Sequence, residues 1–307
     1  MSKRRPSLAR LANDYPVALF APLALLLSWS VWVGVFSLTP ARSPVWFLGT
    51  GVGACGPGIA GALVLRLRGE SVRAWLSDGF RSRHSLRWAI LGLGAPAAAA
   101  LGVAAIVFAY AGVPDAGTLV RLAPQLAVGF VMTTLWTGGN EEFGWRGFAL
   151  PHLQEQYSAL TSGLLIGGLW TVWHTPLFVY GLYTMPPVVY GVGVLALSVI
   201  LTWYYNTTGG WLPGAILFHG GVNTFLNIPQ WALGGDGALD ALPIPYFGVV
   251  AIVMLAFGGI LLLRYGGETL THGGVVGCTW TDRGSASDTE TATETGRSRS
   301  HATEGVN

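Results

Sequence analysis

The segment Asn140–Phe148, with the sequence NEEFGWRGF, is the stretch from which the fold can be inferred. It places three ionisable side chains, Glu141, Glu142 and Arg146, directly after the uncharged run 122–139. An ionisable side chain at the centre of a membrane helix costs about 2.5–3.5 kcal/mol on insertion scales, so such groups are usually paired and usually functional. The segment therefore predicts a functional site in a membrane-embedded helix.

The composition indicates a polytopic membrane protein. Of 307 residues, 51% are hydrophobic and only 10% are charged, whereas about 25% of a typical soluble domain is charged. The net charge of +2 is too small to suggest nucleic-acid binding, so the lipid bilayer is the expected partner. Two cysteines, Cys55 and Cys278, fit neither a disulfide framework nor a cysteine-based zinc site.

Long apolar runs predict an all-α bundle of about eight transmembrane helices. Each run is close to the ~20 residues that a spanning helix needs. The eight runs are 16–38, 45–65, 88–111, 122–140, 160–182, 188–206, 211–232 and 246–264.

The distribution of basic residues predicts the orientation. Arginine and lysine concentrate in the N-terminal segment 1–15 and in the loop 66–87, and such loops stay on the cytoplasmic side. We therefore expect a multi-pass cell-membrane protein with both termini cytoplasmic, and Glu141 near the cytoplasmic end of the fourth span. The membrane domain is predicted at 16–265. The remainder, 266–307, is predicted to be a disordered cytoplasmic tail because its last part is rich in Ser, Thr, Asp, Glu and Gly.

Two further polar patches lie in later spans. His174 follows an aromatic run in the fifth span, and His219 and Asn223 are spaced i, i+4 in the seventh, which places them on one helix face. A carboxylate and a histidine can deprotonate a water molecule, and a histidine and an amide can stabilise an oxyanion. The same groups could instead hold a divalent metal.

Structural interpretations of these patches remain open. Glu142 and Arg146, also spaced i, i+4, could form a purely structural ion pair, and His219 with Asn223 could join helices by hydrogen bonds. A proton or metal transporter would also use intramembrane Glu and His. That function predicts charge along a path through several spans, whereas the first three spans and the sixth carry none.

The three patches together resemble the CPBP family of intramembrane proteases, which includes the type II CAAX prenyl endopeptidases and the bacterial Abi proteins. The family pattern is Glu-Glu-x-x-x-Arg, then Phe-x-x-x-His, then His-x-x-x-Asn, on separate helices of an eight-helix bundle. Here the motifs are 141–146, 170–174 and 219–223, with Trp170 in place of the phenylalanine. The resemblance covers a motif core at roughly 125–230.

The resemblance implies an endopeptidase that acts on a membrane-associated protein or peptide, including prenylated CAAX-type substrates. Glu141 is implied as the general base that activates water, with help from His174. His219 and Asn223 are implied as the oxyanion site. A non-proteolytic immunity or scaffold protein of the same fold is the alternative.

The supporting residues and the metal are also implied only by the resemblance. Glu142 and Arg146 would orient the first motif. Family members are often named metalloproteases, so a divalent metal such as zinc at Glu141, His174 and His219 stays open. The sequence contains no His-Glu-x-x-His helix that would decide between a metal-dependent and a metal-free mechanism.

Overall fold

A computed structural model describes residues 7–81, 86–234 and 236–278. Every regular element in these ranges is helical, so the predicted all-α membrane bundle is confirmed. The α-helices are α1 (Leu8–Asp14), α2 (Pro16–Leu38), α3 (Pro44–Ala54), α4 (Gly56–Leu67), α5 (Val72–Gly79), α6 (Leu86–Ala111), α7 (Ala116–Leu135), α8 (Glu142–Gly144), α9 (Leu150–Gln154), α10 (Ala159–Trp173), α11 (Thr175–Val179), α12 (Pro187–Thr207), α13 (Leu212–Phe225), α14 (Ile228–Ala232), α15 (Asp236–Leu239) and α16 (Tyr246–Tyr265).

Within the described residues, six helical segments are long and apolar enough to cross a membrane. They correspond to six of the eight predicted spans, because an apolar run in lipid must satisfy its backbone hydrogen bonds within helices. The six segments are Pro16–Leu38, Pro44–Leu67, Leu86–Ala111, Ala116–Gln154, Pro187–Thr207 and Tyr246–Tyr265.

The other two predicted spans are each divided into two shorter helices. The run 160–182 forms α10, of 15 residues, followed by α11, and the run 211–232 forms α13, of 14 residues, followed by α14. At about 1.5 Å per residue, 15 residues extend only about 22 Å. Pro176 and Pro229 stand in the first turn of the second helix of each pair, where proline is tolerated because no intrahelical donor is needed. The first break places His174 at a helix end inside the protein.

The fourth span differs from its prediction at 122–140. Helix α7 ends at Leu135, and after a 3-10 turn at Gly139–Glu141 the chain continues through α8, a π-helical turn and α9 as far as Gln154. The helical segment thus extends beyond the predicted end of the span, and the position of Glu141 relative to the cytoplasmic side stays a prediction. Glu141 lies in the interior of a 39-residue helical segment, because the residues after it are also buried and continue the helix.

One end of the bundle carries the basic loops, and we call it the basic end: residues 7–15, 66–81, 150–159, 206–212 and 266–278. Arg68 Nη1 donates to the carbonyl oxygens of Ala12 and Asn13 at 3.1 and 3.2 Å. Asn206 Nδ2 donates to Gln154 Oε1 at 2.7 Å and to the carbonyl oxygen of Thr269 at 3.0 Å. Gly79 lies against Leu212. The segments 7–15 and 66–81 therefore lie beside the segments 150–159, 206–212 and 266–278.

The opposite end consists of residues 37–47, 180–187 and 226–246. The hydroxyls of Ser37 and Tyr180 are hydrogen-bonded at 2.5 Å, and the Tyr246 hydroxyl donates to the carbonyl oxygen of Leu226. Helix α2 joins the two ends with 23 residues, or about 35 Å at 1.5 Å per residue. The two ends are thus separated by roughly the thickness of a membrane's hydrocarbon core.

Residues 266–278 pack against the helical bundle, although the sequence analysis placed them in a disordered tail. Leu270 is fully buried, the backbone N–H of Ala159 donates to the carbonyl oxygen of Glu268 at 2.8 Å, and Gln154 Nε2 donates to that of Val276 at 3.0 Å. The shift of composition at residue 266 therefore does not mark the end of the packed structure. The rest of the predicted tail, 279–307, lies outside the described residues.

Candidate active site

The segment that holds the first motif passes very close to the neighbouring helices. A Cβ atom on Gly139 would lie 2.3 Å from the Thr134 carbonyl oxygen, and one on Gly144 would lie 2.3 Å from Pro57 Cβ. Real Cβ atoms do not approach other atoms so closely, so both positions require glycine. The following π-helical turn, Trp145–Ala149, is a type of distortion that often marks functional sites. Close packing therefore fixes Glu141 and Glu142 inside the bundle.

Glu142 accepts hydrogen bonds from two side chains, Arg146 and His219. Its Oε1 atom is 3.1 Å from Arg146 Nη1 and 2.8 Å from His219 Nδ1, and the side chains of Glu142 and Arg146 are fully buried. The pair with Arg146 follows from the i, i+4 spacing, whereas the bond to His219 crosses from α8 to α13. Because a carboxylate oxygen accepts hydrogen bonds, His219 Nδ1 is assigned as the donor, and its Nε2 atom is left for other contacts.

Arg146 also ties the first motif to α12. Its Nη2 atom donates to the hydroxyl of Ser198 at 3.0 Å and to the Ser198 carbonyl oxygen at 3.3 Å. The Ser198 hydroxyl in turn donates to the Gly163 carbonyl oxygen on α10 at 2.7 Å. The buried guanidinium therefore connects α8, α10 and α12.

Trp170 is at the centre of the polar cluster. Its indole N–H donates to Glu141 Oε2 at 2.7 Å. The Arg146 guanidinium carbon lies 4.9 Å from the Trp170 ring centroid, within the range of a cation–π contact. The rings of His219 and His174 have centroids 5.1 and 6.0 Å from that of Trp170. One side chain thus touches residues of all three motifs.

His174 directly follows the last residue of α10, and one of its two ring nitrogens is hydrogen-bonded to the backbone. Its Nδ1 atom is 2.7 Å from the Trp170 carbonyl oxygen, which can only accept, so Nδ1 carries the proton and Nε2 presents a lone pair. The rings of Trp173, Tyr190 and Tyr183 surround the imidazole, with centroid distances of 4.8, 5.1 and 5.8 Å. The neutral imidazole of His174 therefore carries its proton on Nδ1, and its Nε2 atom can accept a proton from water.

Asn223 and His219 meet beside Gly138. A Cβ atom on Gly138 would be 2.5 Å from Asn223 Nδ2 and 3.4 Å from His219 Nε2. The absence of a side chain at this residue therefore allows the amide and the imidazole to approach the chain just before Glu141. The i, i+4 face predicted for α13 is the face that meets the first motif.

Glu141, His174, His219 and Asn223 all line one cavity of about 630 Å³. Glu141, His174 and His219 are only 3–4% exposed, so they form its inner wall. Most of the other lining side chains are apolar or aromatic, among them Trp46, Trp173, Tyr183, Tyr190 and Met254. The cavity therefore joins a few convergent polar groups to an apolar wall, as binding sites commonly do.

The predicted metal ligands do not form a metal site. In residues 7–81, 86–234 and 236–278, no three His, Cys, Asp or Glu side chains are grouped so that they could hold a metal ion. Glu141 is bonded to Trp170, whereas the Nδ1 bonds of His174 and His219 to a carbonyl and to Glu142 leave both Nε2 atoms uncommitted. The described side chains are thus not arranged as a three-ligand site, and the possible metal at Glu141, His174 and His219 stays a prediction.

Comparison with known proteins finds a family similar to the part of the chain that carries these motifs. A family profile described as type II CAAX prenyl endopeptidase, Rce1-like, matches residues 123–225. Residues 123–225 are therefore similar to the Rce1-like family over about a third of the chain. The Rce1-like segment contains all three motifs and therefore every predicted site residue.

A curated protein of similar sequence is also named as a CAAX prenyl protease. The chain is 31% identical over 123 residues to a protein named CAAX prenyl protease 2 from Methanococcus maripaludis, and the similarity covers 37% of this chain and 45% of the relative. The chain thus matches less than half the length of that relative. The family description and the relative's name are both those of proteases, which is the enzyme class that the sequence predicts.

Sequence reasoning missed two contacts of the site. It treated Trp170 only as a replacement for phenylalanine, although an indole N–H is a donor that phenylalanine lacks. It also missed Ser198, because no motif includes α12 and a serine in an apolar span has no distinctive sequence signal. Each of the six predicted site residues, in contrast, is part of the cluster or lines its cavity.

Proposed function

We propose that this protein is an intramembrane endopeptidase whose active site is the cavity lined by Glu141, His174, His219 and Asn223. The observation that carries the proposal is that these four side chains, from three separate helical segments, line a single cavity. The similarity of residues 123–225 to the Rce1-like family supports it. The substrate is a membrane-associated protein or peptide, and the relative's name makes a prenylated CAAX peptide the first compound to assay.

In the proposed reaction Glu141 is the general base. Its carboxylate takes a proton from a water molecule, and the oxygen attacks the carbonyl carbon of the peptide bond. His174 accepts a hydrogen bond from the same water through Nε2, which orients the water. The proton that Glu141 has taken then passes to the nitrogen of the leaving amine as the carbon–nitrogen bond breaks, so the carboxylate is regenerated.

His219 and Asn223 stabilise the oxyanion that forms during attack. The Asn223 amide N–H and a protonated His219 Nε2–H are the two donors, and such donors are worth about 3 kcal/mol each. The hydrogen bond from His219 Nδ1 to Glu142 Oε1 at 2.8 Å orients the imidazole. Arg146 holds that carboxylate in place through a 3.1 Å hydrogen bond. The supporting pair is therefore linked to the chemistry through one hydrogen bond.

Trp170→Phe should lower kcat by about 10- to 100-fold with a smaller effect on KM. The substitution removes the N–H that fixes Glu141, and a hydrogen bond to a charged group contributes about 1.5–3 kcal/mol. The aromatic ring remains, so packing changes little. The measurement is the steady-state rate of purified variants on one peptide substrate.

Trp173→Phe is the matched control for this substitution. Trp173 lines the same cavity and its indole N–H also makes a 2.7 Å hydrogen bond, but to Ser28 Oγ. We expect Trp173→Phe to keep a kcat close to that of the wild type. Equal losses of kcat in the two variants would show that Trp170 contributes only packing.

A cellular comparison tests the proposed function itself. Cells that produce the wild-type protein or Glu141→Ala at matched levels are compared by terminal-peptide proteomics. New protein termini found only with the wild type would support proteolysis and would supply substrate candidates. Identical terminal peptides, with both proteins inserted in the membrane, would contradict the proposal and favour an immunity or scaffold role.

We also propose the orientation that the charges predict. The basic end carries Arg10, Arg66, Arg68, Arg73 and Arg81, and positively charged loops stay cytoplasmic. The protein then lies in the cell membrane with its basic end in the cytoplasm.

A further inference from the structure

A short helix outside the segment that matches the family profile packs directly on the first motif. Helix α5 lies in the loop between α4 and α6, and its Trp75 is only 4% exposed. The indole N–H of Trp75 donates to the carbonyl oxygen of Gly147 at 2.8 Å. The ring centroid of Phe80, which directly follows α5, lies 5.9 Å from that of Phe143. Because Phe143 and Gly147 lie on either side of Arg146, α5 and the residue after it contact the motif both before and after its arginine.

The carbonyl that Trp75 binds lies in the π-helical turn of the first motif. In this turn the N–H of Leu150 donates to the Trp145 carbonyl oxygen, five residues earlier. Where the α-helical pattern resumes, the donor to the Gly147 carbonyl would be the N–H of residue 151, but Pro151 has no N–H. A buried carbonyl without a donor is costly. The indole N–H of Trp75 therefore takes the place of the donor that the proline lacks.

This turn determines how the charged residues of the motif meet the rest of the bundle. Arg146 lies in the turn, its Nη1 atom is 3.1 Å from Glu142 Oε1, and that oxygen accepts the bond from His219 Nδ1 at 2.8 Å. A π-helical turn contains about one residue more than an α-helical turn, and one residue corresponds to about 100° of rotation about a helix axis. Loss of the π-helical turn would therefore rotate the residues before it relative to α9 and displace Glu142 from His219.

We propose that Trp75 is a positioning residue of the proposed reaction, because its hydrogen bond to the Gly147 carbonyl holds the π-helical turn in the form that brings Glu142 to His219. The word reaction rests on the proposed function, whereas the contacts do not. Trp75 does not line the cavity. Its effect therefore reaches the substrate through the backbone of the first motif.

Trp75→Phe removes the indole N–H and keeps an aromatic ring. We expect kcat to fall by about 2- to 10-fold, the effect of one net hydrogen bond, with KM within about twofold of the wild type because the cavity lining is unchanged. The measurement is the steady-state rate of purified protein on a peptide that spans a bond identified in cells. A wild-type kcat from this variant would overturn the proposal.

Trp203→Phe is the matched control for the loss of indole volume. Trp203 is 5% exposed, its ring neighbours belong to α12 and α16, and it does not line the cavity. Its Nε1 atom makes no hydrogen bond to the part of the chain that the structure describes. We expect a wild-type kcat from Trp203→Phe. Equal losses of kcat in the two variants would mean that Trp75 contributes only packing.

Pro151→Ala provides a rescue that a packing role of Trp75 would not allow. Alanine at this position has an N–H that can donate to the Gly147 carbonyl, while the Leu150 N–H keeps its bond to Trp145. We therefore expect the double variant Trp75→Phe with Pro151→Ala to regain most of the lost kcat. A double variant as slow as Trp75→Phe alone would show that the missing donor is not the cause, and would overturn the proposal.

Hydrogen exchange tests the positioning role without catalysis. Peptides covering 142–153 are followed by mass spectrometry in the wild type, in Trp75→Phe and in Trp203→Phe. We expect exchange about 2- to 10-fold faster in this segment of Trp75→Phe only, because one hydrogen bond less makes local opening easier. Unchanged exchange in Trp75→Phe would overturn the proposal. Faster exchange, in a protein whose wild type cleaves no peptide, would contradict the proposed function while the role of Trp75 in holding the turn stands.

Discussion

Glu141→Gln should abolish hydrolysis while leaving the protein folded and inserted in the membrane. Glutamine keeps the size of the side chain and can still accept the hydrogen bond from Trp170, but its amide cannot take a proton from water. A general base contributes about 10²- to 10⁴-fold to a rate, so kcat should fall by at least about 100-fold. The measurement is the rate of cleavage by purified protein on a peptide that spans a bond identified in cells.

Glu268→Gln is the matched control for this effect. Glu268 is exposed at the basic end, away from the cavity, and the substitution makes the same change of charge. We expect wild-type kcat from this variant. A Glu141→Gln protein with normal kcat would remove Glu141 from the mechanism, and a comparable loss from Glu268→Gln would show that the assay responds to net charge.

Arg146→Met should destabilise the protein by about 3–5 kcal/mol, because removal of one partner leaves the buried Glu142 carboxylate without its counter-ion. Methionine fills a similar volume, so the loss reports charge more than packing. The arginine also holds Ser198, which joins α12 to the cluster. The expected result is a lower membrane yield and a lower midpoint of thermal unfolding in detergent, together with reduced activity.

Two further variants separate the ion pair from other effects of this substitution. Arg121→Met removes an exposed partner of Asp115 at 3.8 Å, and exposed pairs contribute only about 0–1 kcal/mol, so its midpoint should stay near that of the wild type. The double variant Glu142→Gln with Arg146→Met should recover part of the lost stability, because no unpaired charge remains buried. An unchanged midpoint for Arg146→Met alone would show that the pair does not stabilise the fold.

Hydropathy predicted the positions of six spans, including 44–67, which α3 and α4 form together. It did not predict where an apolar run divides into two helices, as at His174 between α10 and α11. An apolar run has the same composition whether the helix is continuous or broken, and Pro176 marks the break only weakly because proline also occurs at the first turn of helices. The same ambiguity concealed the continuation of the fourth span beyond Glu141.

The polar residues of the site were predictable because their spacing fixes them on one helix face. The i, i+4 rule gave the Glu142–Arg146 pair and the common face of His219 and Asn223. It could not give the bond between Glu142 and His219, because contacts between helices depend on packing that a single sequence does not specify. Trp170 was missed for the same reason, since its N–H matters only where a carboxylate lies opposite it.

The most direct test of the central claim is mass analysis of the products made by the purified protein alone. Wild-type protein in lipid vesicles is incubated in ¹⁸O-enriched water with a peptide that spans a bond identified in cells. We expect two product peptides whose masses add up to the substrate plus one water, with the heavy oxygen in the new carboxyl group. An intact peptide, with the protein folded in the vesicles, would contradict the assignment of this cavity as a peptide-hydrolysing site.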